Sequence, residues 1–118
     1  MLLLTLVLFQ LKHWYIDFVN QTQTEVDHKG IYLDWLGITH SLKHGLATAL
    51  IVAFTSGYIN FAIAVGFIDF FIHYHTDFVK MKFGCRDITN PLFWNQLGFD
   101  QLVHQFTYIG IAVALAQL

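Results

Sequence analysis

Four pairs of titratable residues, each pair four positions apart, stand within the apolar stretches of this chain: His13 and Asp17, His40 and His44, His73 and Asp77, Asp100 and His104. Asp69, four before His73, extends the third pair into a run. Residues four apart share one helical face, one turn above the other, so each pair can act on one object. Imidazole and carboxylate together are common ligands of divalent metals and common acid–base groups.

The elements that must position them follow from composition. The chain has 118 residues, 56% hydrophobic and only 12% charged, with a mean hydropathy of +0.54. Soluble domains carry about 25% charged residues, and a single small core cannot hide this apolar surplus. One domain over residues 1–118, set in lipid, accommodates it. The net charge of −2 speaks against a nucleic-acid partner. The lone Cys85 excludes an internal disulfide and a four-cysteine zinc site. Residues 1–9 lack the positive region and small-residue cleavage site of a secretion signal, which predicts a retained membrane helix.

Four stretches suit spans of about 20 residues: 2–20, from Tyr32 or Leu36 to Thr55, 58–79 and 97–118. Gly57 marks a tight turn after Thr55 and Ser56, and Asn90-Pro91 marks a helix start. An interfacial turn is expected around Leu92, Phe93 and Trp94, and residues 21–34 read as a polar loop. Short connections favour antiparallel neighbours. The predicted fold is therefore all-α, a membrane-embedded up-and-down bundle of four transmembrane helices. Lys29, Lys80, Lys82 and Arg86 fall in the two longer connections, which places those cytoplasmic and the termini outside.

In such a bundle the pairs lie late in helix one, early in two, late in three and early in four, all toward one membrane side. At about 1.5 Å per residue, His13, His44, His73 and His104 fall within roughly two turns in height. An aspartate at a helix centre costs about 2.5–3.5 kcal/mol on insertion scales, and few cations stand in these spans. A lone His–Asp pair is more often a structural hydrogen bond than a ligand set. Four pairs converging on one layer point instead to one or two divalent metal ions, with zinc favoured. The expected ligands are His40, His44, His73, Asp77, Asp100 and His104, with His13 and Asp17 as base and orienter or as ligands of a second ion. Asp69 is expected to orient His73. Lys43 and Lys80 would stabilise phosphate charge, joined by Lys12, Lys29, Gln21 and Gln101 around an anionic lipid headgroup. For each lysine taken singly, snorkelling to the interface is the plainer reading. His28 and His75 fall outside the pattern.

At these residues the chain resembles a family of small phage and bacterial membrane proteins catalogued as domain of unknown function 3307. The blocks are His13-Trp-Tyr-Ile-Asp17-Phe-Val-Asn-Gln21-Thr22 with Lys29 downstream, His40-Ser-Leu-Lys-His44-Gly45, His73-Tyr-His-Thr-Asp77-Phe-Val-Lys80 and Phe99-Asp100-Gln101-Leu-Val-His104. Ile16 stands where the family usually has glycine before the first aspartate. The resemblance implies a bacterial inner membrane location, and the basic residues of the two longer connections place the site toward the cytoplasm. It also implies a distant likeness to membrane-bound metal-dependent hydrolases.

The expected function is a zinc-dependent hydrolase of a lipid or other interfacial ester, phosphoesters favoured. The alternative is a divalent-metal or proton transporter or channel subunit, formed within one chain or in a homo-oligomer. Residues 2–8, 46–54, 61–67 and 110–116 hold only Thr5 and Thr48 as polar side chains, which opposes a through-route. A membrane di-iron oxidase lacks its adjacent double histidines here, and a structural envelope protein is the remaining reading.

Overall fold

In a computed structural model describing residues 1–118, the chain is all-helical. Helix α1 (Leu2–Trp14) runs on into a π-helical turn, Tyr15–Val19, and is followed by α2 (Gln23–His28), α3 (Trp35–Ser56), α4 (Ile59–Phe83) and α5 (Pro91–Leu115). Local chemistry sets these boundaries. Thr22 and Glu25 form a reciprocal capping box at the start of α2. The side chains of Asp34 and Asn90 accept the Leu36 and Leu92 N–H groups at the starts of α3 and α5. Gly57, at φ 76°, ends α3 in the left-handed conformation that favours glycine.

Two expected elements differ. The polar connection at 21–34 contains α2, because its capping box secures a helix too short to persist alone. The interfacial turn around Leu92, Phe93 and Trp94 does not form. With Asn90 as cap and Pro91 in the first turn, α5 runs unbroken for 25 residues.

The four long helices alternate in direction and close a ring in the order α1, α3, α4, α5. Thr5 near the start of α1 donates to Thr55 at the end of α3 (2.9 Å). Lys80 late in α4 reaches Asp100 early in α5, and Gln105 of α5 meets Gln10 of α1. The tightest crossing joins α3 and α4. A Cβ on Gly45 would stand 2.6 Å from the Gly66 carbonyl oxygen, and one on Gly66 would stand 2.8 Å from the Ala49 Cβ. Small residues four apart let two helix backbones touch in this way.

The interior is polar and the outside apolar. Sixteen of the 28 buried residues are polar or charged and nine are hydrophobic. Leu50, Phe54, Phe67 and Phe106 are 63–76% exposed. The apolar core is a plug at one end, built from Phe9, Val52, Ala62, Val65, Tyr108 and Ile111. By length and mean hydropathy, one stretch, Leu2–Val19, passes as a membrane-crossing helix.

Two expectations follow from this packing. Gly66→Leu should force α3 and α4 apart and lower the thermal midpoint in detergent by more than the same change at Gly110, where a Cβ meets open space. At the capping box, burial pushes the Glu25 carboxyl up, but hydrogen bonds from Lys43 and the Thr22 N–H outweigh it and hold it below the usual range. Its contribution is complete above the ordinary glutamate pKa of about 4.3 and is lost as pH falls through the lower folded value. Acidification should therefore move the Thr22 and Glu25 amide resonances, and Glu25→Gln should remove that response.

Candidate metal centre

Antiparallel closure brings the histidines of all four long helices to one level. The rings of His44 and His73 stack at 3.6 Å, and those of His73 and His104 at 4.0 Å. His13 lies 5.6 Å from His44 and 5.3 Å from His104, and His40 lies 5.1 Å from His44. All five rings are buried.

Asp17 enters this layer from the π-helical turn. The Asn20 N–H donates to the Tyr15 carbonyl, five residues back, at 2.8 Å. Such a widened turn re-aims a side chain and is frequent at functional sites. Asp17 Oδ1 lies 2.9 Å from His40 Nε2, 2.8 Å from His44 Nε2 and 3.6 Å from His73 Nε2. Asp77 is a second hub. Its Oδ2 is 3.2 Å from His73 Nε2 and 3.7 Å from His40 Nε2, and its Oδ1 is 3.6 Å from His104 Nε2. His104 Nε2 in turn lies 3.3 Å from Asp100 Oδ1.

These atoms form two groups whose spacing can hold a metal ion: Asp17, His40, His44 and His73, and then His73, Asp77 and His104. His73 belongs to both. Zinc bonds of about 2.0–2.1 Å in a tetrahedron place ligand atoms roughly 3.3 Å apart, within the observed 2.8–3.7 Å spread around Asp17 and Asp77. Buried polar atoms are normally satisfied, yet both ring nitrogens of His73 and of His104 lack hydrogen-bond partners, as does Asp100 Oδ1. The donor set and its unpaired atoms fit a divalent cation.

Lysines supply more of the charge balance than sequence reasoning allowed. Lys12 is buried rather than snorkelling and lies 2.7 Å from Asp69 Oδ2. It also donates to the His44 carbonyl and to His44 Nδ1 (both 3.3 Å). Asp69 therefore anchors Lys12, assisted by the Thr48 hydroxyl at 2.6 Å, instead of orienting His73. Lys29 reaches in from the connection after α2, lies 2.9 Å from Asp77 Oδ2 and donates to Gln21. Lys80 pairs with Asp100 at 2.9 Å. Asp17 alone among the four aspartates of the long helices has no lysine partner, and imidazoles face it instead.

Two expected roles change accordingly, while His44 keeps its place in the first group of ligand-spaced atoms. With Lys12 donating to its Nδ1, the His44 Nε2–H faces Asp17. His13 Nε2 meets Gln101 Oε1 at 2.6 Å, an oxygen that only accepts, and its Nδ1 meets the Tyr108 hydroxyl at 2.8 Å. Both nitrogens are thus engaged, which leaves His13 no lone pair for a base or a ligand. Lys43 points away from the layer to Glu25 at 2.9 Å and ties α2 to α3. His75 meets Tyr32 at the surface, and His28 pairs with Asp34.

Thr48 and Tyr108 were missed as site residues, although each continues the four-residue ladder of its helix, after His44 and His104. No family model, curated protein or solved structure matches the chain.

The buried Lys12–Asp69 pair generates its own expectation. Removing one partner of a buried ion pair typically costs about 3–5 kcal/mol, whereas replacing both by apolar groups is often near neutral. Lys12→Met should destabilise strongly in denaturant titrations in detergent, and Lys12→Met with Asp69→Leu should recover most of the loss.

Proposed function

We propose that the chain is a membrane-embedded, zinc-dependent hydrolase of a lipid or other interfacial ester or phosphoester, with its site toward the cytoplasmic side of a bacterial inner membrane. The observation that carries this reading is the convergence of Asp17, His40, His73, Asp77 and His104 on one buried layer, at ligand spacings and with partnerless nitrogens.

The inverted distribution of side chains is what favours four transmembrane spans in this reading. Apolar residues coat the outer faces of α1, α3, α4 and α5, and the polar ones face inward. Helices of 22–25 residues reach about 33–37 Å, enough to cross a hydrocarbon core of about 30 Å. Whole-helix hydropathy understates this, because it averages an oily exterior with a charged interior.

In the proposed centre, Asp17, His40 and His73 would hold one ion, and Asp77 and His104 would hold it or a second. A bound divalent ion supplies Lewis acidity and lowers the pKa of water from 15.7 to about 7. His44 would fix the Asp17 carboxylate through its Nε2–H. Lys80, at the edge of the layer, faces developing negative charge on the substrate. The plug of Phe9, Val52 and Tyr108, each fully buried, separates this layer from the opposite end, which disfavours a transporter.

Elemental analysis of the detergent-purified chain should find one or two zinc ions. His73→Ala should lose most of them, since His73 stands in both groups, and His75→Ala should keep them. Purified protein should also release a water-soluble headgroup from lipid vesicles. A folded chain that retains no divalent metal would overturn the proposal, and iron in place of zinc would point to an oxidase.

A further inference from the structure

The α4/α5 seam differs from the α3/α4 seam. Where α3 and α4 touch through glycines, α4 and α5 part over their loop-side halves and leave a groove of about 710 Å³. Its flanks are apolar, with Val79, Phe83, Phe99 and Val103. Its polar lining includes Lys80, Gln96 and Asp100. Asp100 connects the groove to the centre, because it is itself buried and its unpartnered Oδ1 stands 3.3 Å from His104 Nε2.

The groove also meets a smaller cavity of about 280 Å³ at the loop end, lined by Gln21, Gln23 and Arg86. Lys80 and Gln96 line both spaces. Their hydrogen-bonding capacity sets the ligand chemistry. An ammonium has three donors, and Lys80 uses one of them on Asp100. The Gln96 carbonyl accepts from the Cys85 N–H at 2.6 Å, which leaves its amide N–H groups as donors. An apolar channel with donors at the point where it opens into a polar chamber suits an amphiphile whose acceptor-rich linkage joins a hydrocarbon chain to a headgroup. The outer faces of both helices carry Phe71, Val79, Phe99 and Phe106, so the phase beside the groove is suited to hydrocarbon.

We propose that the groove is a lateral entrance for a membrane lipid. One acyl chain lies between α4 and α5, the ester or phosphoester linkage sits at Lys80 and Gln96, and the headgroup occupies the loop-end chamber. This names the substrate class of the proposed hydrolase and rests on that reading for the bond that breaks, whereas occupancy of the groove is measurable without any reaction.

The test reconstitutes the full chain in phosphatidylcholine–phosphatidylglycerol vesicles containing a phospholipid with a photoactivatable diazirine on one acyl chain. Label should concentrate on residues 76–84 and 92–103, several-fold above the lipid-facing positions Leu46 and Leu50. Val79→Trp with Val103→Trp should fill the groove and remove that excess while the zinc content of the protein stays unchanged. Even labelling of all four helices, or an excess indifferent to the tryptophans, would overturn the entrance. Displacement of the label by soluble glycerol phosphate would also overturn it, because the occupant would then be held by its head alone. Loss of the hydrolase reading would appear separately, as absent metal or absent headgroup release with groove labelling intact.

Discussion

Charge neutrality inside a low-dielectric bundle is the constraint on which this structure depends. An unpaired buried ion costs several kcal/mol, and the long helices carry four aspartates into the interior. Lys12 neutralises Asp69, Lys29 neutralises Asp77 and Lys80 neutralises Asp100. These pairs also fix geometry: Lys12 holds α1 to α4, Lys29 draws the α2–α3 connection onto α4, and Lys80 joins α4 to α5. Asp17 is the exception. It is offered by a π-helical turn to a set of imidazoles, and that local shortage of positive charge is what makes the layer chemically interesting.

Much of this arrangement is written in the four-residue ladder. Positions 5, 9, 13 and 17, then 40, 44, 48 and 52, and then 100, 104 and 108 are all buried, because side chains one turn apart fall on one face. The ladder, together with antiparallel alternation, is sufficient to place the histidines at one depth. It says nothing of the tautomers of His13 and His44, which are set by Gln101, Tyr108 and Lys12 across helix boundaries. Lysine is ambiguous in sequence for a physical reason. Its long apolar stem serves equally well to carry the ammonium out to an interface or inward to a carboxylate, and Lys12 and Lys29 take the second course. The short α2 was illegible because its stability lies in one capping box and its contacts with α3, and α5 runs on because nothing after Pro91 stops it.

The mean hydropathy of these helices has a related physical origin. Each has an exposed apolar face and a buried polar one, so a window average returns an intermediate value. Burial separates the two faces. Thr48 and Asp69 are inside, Leu50 and Phe67 are outside, and the same stretch of sequence supplies both.

Lys29 has a consequence of its own. Its backbone packs against Gly37 of α3, and its ammonium rests on the Asp77 oxygen nearest to His73 and His40. Any cation held by Asp77 would share that carboxylate with this tethered one. The same ion pair therefore ties the α2–α3 connection to the layer in which the candidate ligands stand.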